Sequence, residues 1–421
     1  MRNAETVQKA YEIAKEQYAG IGVDVDKAIE ALDKVRISMH CWQGDDINGS
    51  LFPDQELSGT ISVTGNYPGK ARNADELRAD LDKALSLIPG THKVNLHAIY
   101  GESDEPIDLD QIEPKHFAKW VEWAKERGLG LDFNGTFFSH PKAESGFTLS
   151  SADPEVQEFW IEHLRRVREI SNYFGQETGI VSCNNIWIPD GYKDNPIDRV
   201  SPRKRLMEAL DKAREVDYPA ENTLDAVEGK LFGTGVEAYT VGTHEFYLSY
   251  AMSRGILWTI DSGHFHPTED PGDKFAAVAP FNQGLYLHVS RPMRWDSDHV
   301  VIADDMLRNI TNALVYNDLI KTTHIGLDFF DATINRVAAY VVGTRNTQKA
   351  LLQSFLTPLE DLKAAEAEGD LTARLALVEE YKSFPFGAVW DYYCLTKGVP
   401  VGEDWLAEVR QYEKDVLSKR A

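Results

Sequence analysis

The sequence predicts an α/β fold, a (β/α)8 barrel of the TIM type with an additional C-terminal α-helical extension. Three observations predict it. Eight short runs are continuous in apolar residues, as strands buried on both faces of a parallel sheet are. Each is followed by a polar or helix-like stretch, so strand and helix alternate along the chain. The polar residues of these runs sit at their C-terminal ends, where a barrel of this type gathers side chains from distant parts of the sequence.

The runs are Val35 to Trp42, Lys93 to Tyr100, Gly128 to Asn134, Ile180 to Trp187 and Asp225 to Phe232, followed by those ending near His264, His288 and Asp328. Helices are expected over Asp75 to Ile88, Pro114 to Arg127, Asp153 to Phe174, Pro202 to Val216, Glu245 to Arg254 and Asp304 to Leu319. Pro114 suits a first helical turn, whose N–H has no intrahelical partner in any case. The stretch Asp45 to Tyr67, rich in Gly and Asp, is too long for a plain connection and is expected as a lid-like insertion. After Asp328 no such strand returns; Thr347 to Leu356, Leu371 to Tyr381 and Trp405 to Leu417 read as helices. Residues 1–343, with an N-terminal helix and the 45–67 insertion, are therefore expected as a catalytic barrel domain, and 344–421 as a helical extension serving oligomerisation.

Composition narrows the function. Apolar residues make up 43% and charged residues 26%, as in an ordinary globular protein. No uninterrupted apolar run of membrane-spanning length occurs, and the polar start Met1-Arg2-Asn3-Ala4-Glu5 lacks the apolar stretch of a secretory signal, so a cytoplasmic protein is expected. Cys41, Cys183 and Cys394 are scattered, without a Cys-x-x-Cys; they fit a reducing compartment, offer no thiolate metal site, and read as buried strand cysteines more readily than as nucleophiles. A formal charge of −23 repels nucleic acid and anionic membranes, leaving a neutral small molecule or a cation as partner.

The polar strand-end residues are His40 and Trp42, His97, Asp132 and Asn134, Asn185 and Trp187, Glu228 and Lys230, Asp261 and His264, His288, and Asp328; Asp296-Ser297-Asp298 adds an Asp-x-Asp. Each segment alone is weak, since a lone strand-end His is usually structural and a lone Asp-x-Asp usually solvated. Together they place Glu228, Asp261, Asp296, Asp298 and Asp328 around one mouth, which is costly without countercharge, and Lys230 alone is not enough. Two metal sites fit: Glu228, Asp261, His288 and Asp328 as a closed one, and His264, Asp296 and Asp298 as an open one, with Asp261 placed to bridge. Carboxylate and imidazole without sulfur point to Mn²⁺, Mg²⁺, Co²⁺ or Zn²⁺. His266 and His299 are assigned to capping or support of neighbouring ligands, and His244 and Asp331 to surface or supporting positions. Trp42, Phe133, Trp187 and Phe265 near the same mouth suit the apolar faces of a sugar, or plain packing. No dinucleotide fingerprint, phosphate-cradling Gly-Lys-Ser/Thr loop or Gly-x-Ser-x-Gly elbow is present.

The segments Met39 to Asp46, Thr64 to Asn73, Ile186 to Gly191, Gly263 to Thr268, and His288 to Asp298 resemble the L-rhamnose isomerase family, and the likeness runs from about residue 5 to the C-terminus. The resemblance implies a usually tetrameric, cytoplasmic, metal-dependent aldose–ketose isomerase on a xylose-isomerase-like barrel, converting L-rhamnose to L-rhamnulose. It implies that His264, Asp296 and Asp298 hold a catalytic Mn²⁺ and that Glu228, Asp261, His288 and Asp328 hold a second, structural divalent metal. It matches Lys230 to the family's active-site lysine and His97 to its sugar-contacting histidine. In the expected chemistry Lys230 donates to the carbonyl oxygen, and Asp328 or a metal-bound water takes the hydroxyl proton. With no free base evident at C2, a hydride shift between C2 and C1 is favoured over an enediol route. Alternatives are isomerisation of mannose, lyxose or allose, a metal-dependent phosphoesterase or nuclease on a similar barrel, and a sugar-binding module without turnover.

Overall fold

Ten strands occur among the described residues of the computed structural model, which are 3–52, 63–232, 238–281 and 283–420. They are β1 (Ile37–His40), β2 (Lys93–His97), β3 (Gly130–Asn134), β4 (Ser182–Trp187), β5 (Gly191–Tyr192), β6 (Thr223–Glu228), β7 (Tyr239–Thr240), β8 (Leu257–Asp261), β9 (Leu285–Val289) and β10 (Thr323–Leu327). Eight of them close a barrel in the order β1-β2-β3-β4-β6-β8-β9-β10, with parallel neighbours throughout, while β5 and β7 form a small antiparallel pair. The barrel strands are short and almost wholly buried, which is why they read as apolar runs rather than as alternating ones.

The expected helices are present with shifted ends. Residues Pro154–Thr178 form the longest, begun by Pro at its first turn and by the Asp153 carboxylate accepting from the Glu155 N–H, and ended by left-handed Gly179. Pro114 opens a 3₁₀ turn, Pro114–Phe117, before the α-helix Ala118–Glu126. The expected N-terminal helix is Ala4–Ala19, and helices not singled out from the sequence are Val25–Asp33, Pro271–Val278, Leu359–Ala367 and Phe386–Thr396. Helix Arg336–Phe355 runs through position 343 without a break. Of the 45–67 insertion, residues 53–62 lie outside the described residues.

The C-terminal helices return to the front of the chain. Arg420 forms an ion pair with buried Asp80 at 2.6 Å, Tyr67 donates to Glu413 at 2.9 Å, and Tyr393 donates to Asp33 at 3.0 Å. Tyr392 stacks on Tyr11 with ring centroids 3.7 Å apart. Helix Leu371–Tyr381 is the exception, with no buried residue and with Leu371 and Leu375 60% and 58% exposed.

Candidate active site

At the C-terminal ends of the strands lies a cavity of about 500 Å³, lined among others by Trp42, His97, Trp187, Glu228, Lys230, His264, Asp296, Asp298 and Asp328. Each side chain arrives for a local reason. Glu228 and Asp261 end β6 and β8, His288 is the penultimate residue of β9, and Asp328 follows β10 directly. Asp261 and His288 are register partners on neighbouring strands, so the parallel ladder sets them side by side. Lys230 lies two residues beyond β6, which ends at Glu228 and not at Phe232 as the sequence suggests.

Two groups of ligand-type atoms converge at the cavity, each with all its atoms within 4.8 Å of one another: Glu228, Asp261, His288 and Asp328 in one, and Asp261, His264 and Asp296 in the other, with Asp261 and His288 buried behind the lining. His288 Nδ1 lies 3.3 Å from Glu228, 3.6 Å from Asp328 and 3.9 Å from Asp261, yet neither of its ring nitrogens has an aligned hydrogen bond. Asp261 accepts at Oδ1 from the Gly263 N–H (2.6 Å) and the Ser290 hydroxyl (3.1 Å), while its buried Oδ2 has no donor. Asp296 Oδ2 pairs with Lys230 Nζ at 2.8 Å and His264 Nε2 at 3.2 Å, and its Oδ1 is likewise buried without a partner. Orphaned buried polar atoms are rare because each costs its full desolvation. The orphaned atoms of Asp261, His288 and Asp296 lie together and are all of ligand type, so the donor set fits hard divalent cations.

Electrostatics point the same way. Burial drives Asp261 up to about 7 and Asp328 up to about 6, with the neighbouring carboxylates adding to the shift. Burial also lifts Asp298 well above the usual carboxylate range, alongside Asp296 and Asp328. Burial opposes charge on the histidines, but the surrounding carboxylates win and carry His264 up to about 10 and His288 up to about 9. A cluster that must hold extra protons on both imidazoles and carboxyls is one that a cation would discharge.

Supporting contacts orient the ligands. His264 Nδ1 faces the Gly229 carbonyl at 3.0 Å, and as donor there it leaves Nε2 free to face the cavity. Trp42 donates its indole N–H to Asp328 Oδ1 at 3.0 Å. Gly263 is required for its lack of a side chain, since a Cβ there would sit 2.6 Å from Ser290 Oγ and 2.7 Å from Asp296 Oδ1.

Several residues grouped with the mouth in sequence lie elsewhere. Asp132 is buried in the barrel interior below the cavity, ion-paired with Lys93 at 2.9 Å. Phe133 packs outward between Phe117 and Phe174, and Phe265 stacks on His244 with centroids 4.1 Å apart; neither lines the cavity. His40 is buried against Phe329, whose carbonyl it bonds, and does not line the cavity. His266 bonds Thr268 within its own turn (2.8 Å), and His244 bonds the His264 carbonyl (2.9 Å), both supporting positions. His299 and Asp331 reach the cavity lining, as do Ile47, Phe138 and Phe330, which the sequence did not single out. Asp298 faces the cavity from a left-handed backbone (φ 46°) but is not in the close group with His264 and Asp296. All three cysteines are free and buried.

Residues 5–420 match the model of the L-rhamnose isomerase (RhaA) family. The chain is 60% identical over 420 residues to an L-rhamnose isomerase of Lactiplantibacillus plantarum, covering all of this chain and 98% of that one. It is 61% identical over 414 residues to an L-rhamnose isomerase of Listeria innocua, covering 98% and 99% of the two chains. Among solved structures, an L-ribulose 3-epimerase is similar over 80% of this chain and 98% of its own, with a TM-score of 0.47 and 13% identity.

Proposed function

The chain belongs to the L-rhamnose isomerase family, and from that membership we propose that it interconverts L-rhamnose and L-rhamnulose. The observation that carries the reading is the pair of carboxylate–imidazole clusters that meet at Asp261, just behind the cavity lining, with the Lys230 ammonium beside them. Divalent ions, Mn²⁺ at His264, Asp296 and Asp298 and a second at Glu228, Asp261, His288 and Asp328, would supply Lewis-acid polarisation of two adjacent sugar oxygens.

The chain's own residues supply the rest. Isomerisation moves the hydrogen of C2, with its electron pair, to C1, and one proton from the C2 oxygen to the C1 oxygen. Lys230, its charge favoured by Asp296 despite burial, donates at the C1 oxygen where negative charge builds. Asp328, which lines the cavity and accepts the Trp42 indole N–H at 3.0 Å, would accept the C2 hydroxyl proton. His97 stays neutral because burial brings it down to about 3; it contacts the sugar as a hydrogen-bonding group and is too weak a base to take a carbon-bound proton. Trp42, Phe138 and Trp187 wall the cavity with apolar faces suited to a sugar ring.

Assembly as a homotetramer is supported by the unpartnered stripe Leu371, Leu375 and Val378, spaced to lie along one helix face. Light scattering on the protein and on a Leu371→Asp, Leu375→Asp variant tests it, a dissociated variant being expected. A cytoplasmic location accords with the three unpaired cysteines; no helix among the described residues is long and apolar enough to cross a membrane.

The activity is tested by ketose formation from L-rhamnose beside mannose, lyxose and allose. L-Rhamnose is expected to give the highest kcat/KM, and its failure to react would reject the reading.

A further inference from the structure

Behind Glu228 the barrel interior holds two polar side chains that the reaction does not use, Asn185 on β4 and Thr259 on β8, both fully buried. The Thr259 hydroxyl donates to Asn185 Oδ1 at 2.7 Å, and Asn185 Nδ2 donates to Glu228 Oε2 at 2.5 Å. We propose that Thr259 and Asn185 form a directional relay that positions Glu228 and so sets the affinity of the closed cluster for divalent cations. The inference rests on the metal-dependent reading above.

The direction of the relay follows from which atoms can donate. An ionised carboxylate only accepts, so the amide must turn its NH₂ group toward Glu228. Asn185 Oδ1 then faces Thr259, whose hydroxyl is left as the donor. Reversing the amide would set two oxygens against each other inside the barrel, where such a contact has no water to relieve it.

Glu228 needs this restraint more than its neighbours do. Asp261 and His288 are short side chains on adjacent register positions, whereas Glu228 has an additional rotatable bond and faces both clusters. Its Oε1 lies 3.1 Å from His264 and its Oε2 3.3 Å from His288. The relay fixes the rotation of the carboxylate about its last bond, and with it the division of the two oxygens between the clusters. The strands enforce the arrangement: Thr259 is the register partner of Glu228 on β8, and Asn185 lies beside Ala226 on β4, so all three side chains point into the interior at neighbouring levels. Neither Asn185 nor Thr259 lines the cavity, so the pair acts as positioning residues rather than as catalytic ones.

The test is calorimetric titration of the full-length, metal-stripped protein with Mn²⁺ alone, comparing wild type with Asn185→Asp, Thr259→Val and Thr259→Ser. Asn185→Asp, which sets a second carboxylate against Glu228, is expected to weaken Mn²⁺ binding by about 10- to 100-fold. Thr259→Val removes the hydroxyl at nearly constant volume and should weaken it by about tenfold, while Thr259→Ser, which keeps the donor, restores wild-type affinity. A purely structural role predicts instead that melting of the metal-free protein shifts while Mn²⁺ affinity does not. Unchanged affinity in Thr259→Val, with wild type binding normally, overturns the relay; should Asn185→Asp fail to fold, the Val and Ser pair decides alone. No Mn²⁺ binding by the wild type overturns the metal-dependent reading instead.

Discussion

The two carboxylate–imidazole clusters share Asp261 but are held by different kinds of backbone. Glu228, Asp261 and His288 stand on strands, and Asp328 follows one directly, so the parallel ladder fixes their Cα positions. His264 and Asp296 lie three and seven residues beyond β8 and β9, on loops carrying left-handed Asp298 and the half-exposed Trp295 and Met293. The Asp296 loop is braced by bonds outside the barrel ladder, among them Met293 N–H to Ser297 Oγ (3.0 Å) and Phe330 N–H to the Asp298 carbonyl (3.1 Å). The contrast teaches that one fold can place two clusters of ligand-type side chains within a few ångströms, by taking one from its ladder and most of the other from its loops.

The most severe test removes the ions from both clusters. Exhaustive chelation should abolish turnover and lower the melting temperature, and Mn²⁺ or Co²⁺ should restore both. Full activity with metal content verified as nil would end the distinction between the clusters along with the mechanism.

Single substitutions separate the two. Asp298→Asn should cut kcat by about 10²- to 10³-fold while leaving the melting temperature of the metal-loaded protein unchanged, because it alters only the loop side. Glu228→Gln should lower activity and the melting temperature together, since the closed cluster ties separate strands to one another. Equal melting temperatures for both variants and wild type would show that the ladder cluster adds nothing to folding.

Gly263→Ala probes the seam. The added methyl would press on Ser290 and Asp296, so activity should fall by about 10- to 100-fold through displacement of the loop side, with little change in global stability. A wild-type rate would mean that the loop yields freely. Trp42→Phe keeps the ring but removes the donor to Asp328, and should reduce kcat by about tenfold, as expected for losing one hydrogen bond to a charged group. The smallest expected effect is none: L-rhamnulose formed in heavy water at low conversion should carry essentially no deuterium at C1. Substantial incorporation would show proton transfer through a base, and Asp328 would be the first side chain to replace.

The strand-borne cluster was more legible in the sequence than the loop-borne one. A strand buried on both faces is a short apolar run, and its last polar residue is visible wherever the run stops, as at Asp261, His288 and Asp328. Depth within the barrel is not visible in this way. Asp132 and Asn134 share one face of β3, but Asp132 lies two residues, about 6.6 Å, further back along the strand, a level below the mouth. Phe133, between them, must point the other way, which is why it packs outward under the helices. Two of the helices not singled out have readable starts, Asp24 and Asp270-Pro271, each with a side chain accepting a first-turn N–H. Phe386–Thr396 is apolar on nearly every side, so no period of 3.6 stands out. Asn185 read only as one more polar strand end at the mouth, whereas it lies behind the cavity lining, and Thr259 carried no signal, because a buried amide and hydroxyl take meaning only from what the register sets beside them.

The ion pair between Arg420 and Asp80 spans 340 residues, and Tyr67 with Glu413 spans 346. On a ribosome adding 5 to 20 residues per second, the acid at position 80 waits roughly 20 to 70 s for its partner. Through that interval the helices that the tail will cover keep their outer faces bare, a large topological separation that also slows refolding of the released chain. The strap therefore makes completion of this protein a late event, and leaves the nascent chain dependent on whatever shields those faces in the meantime.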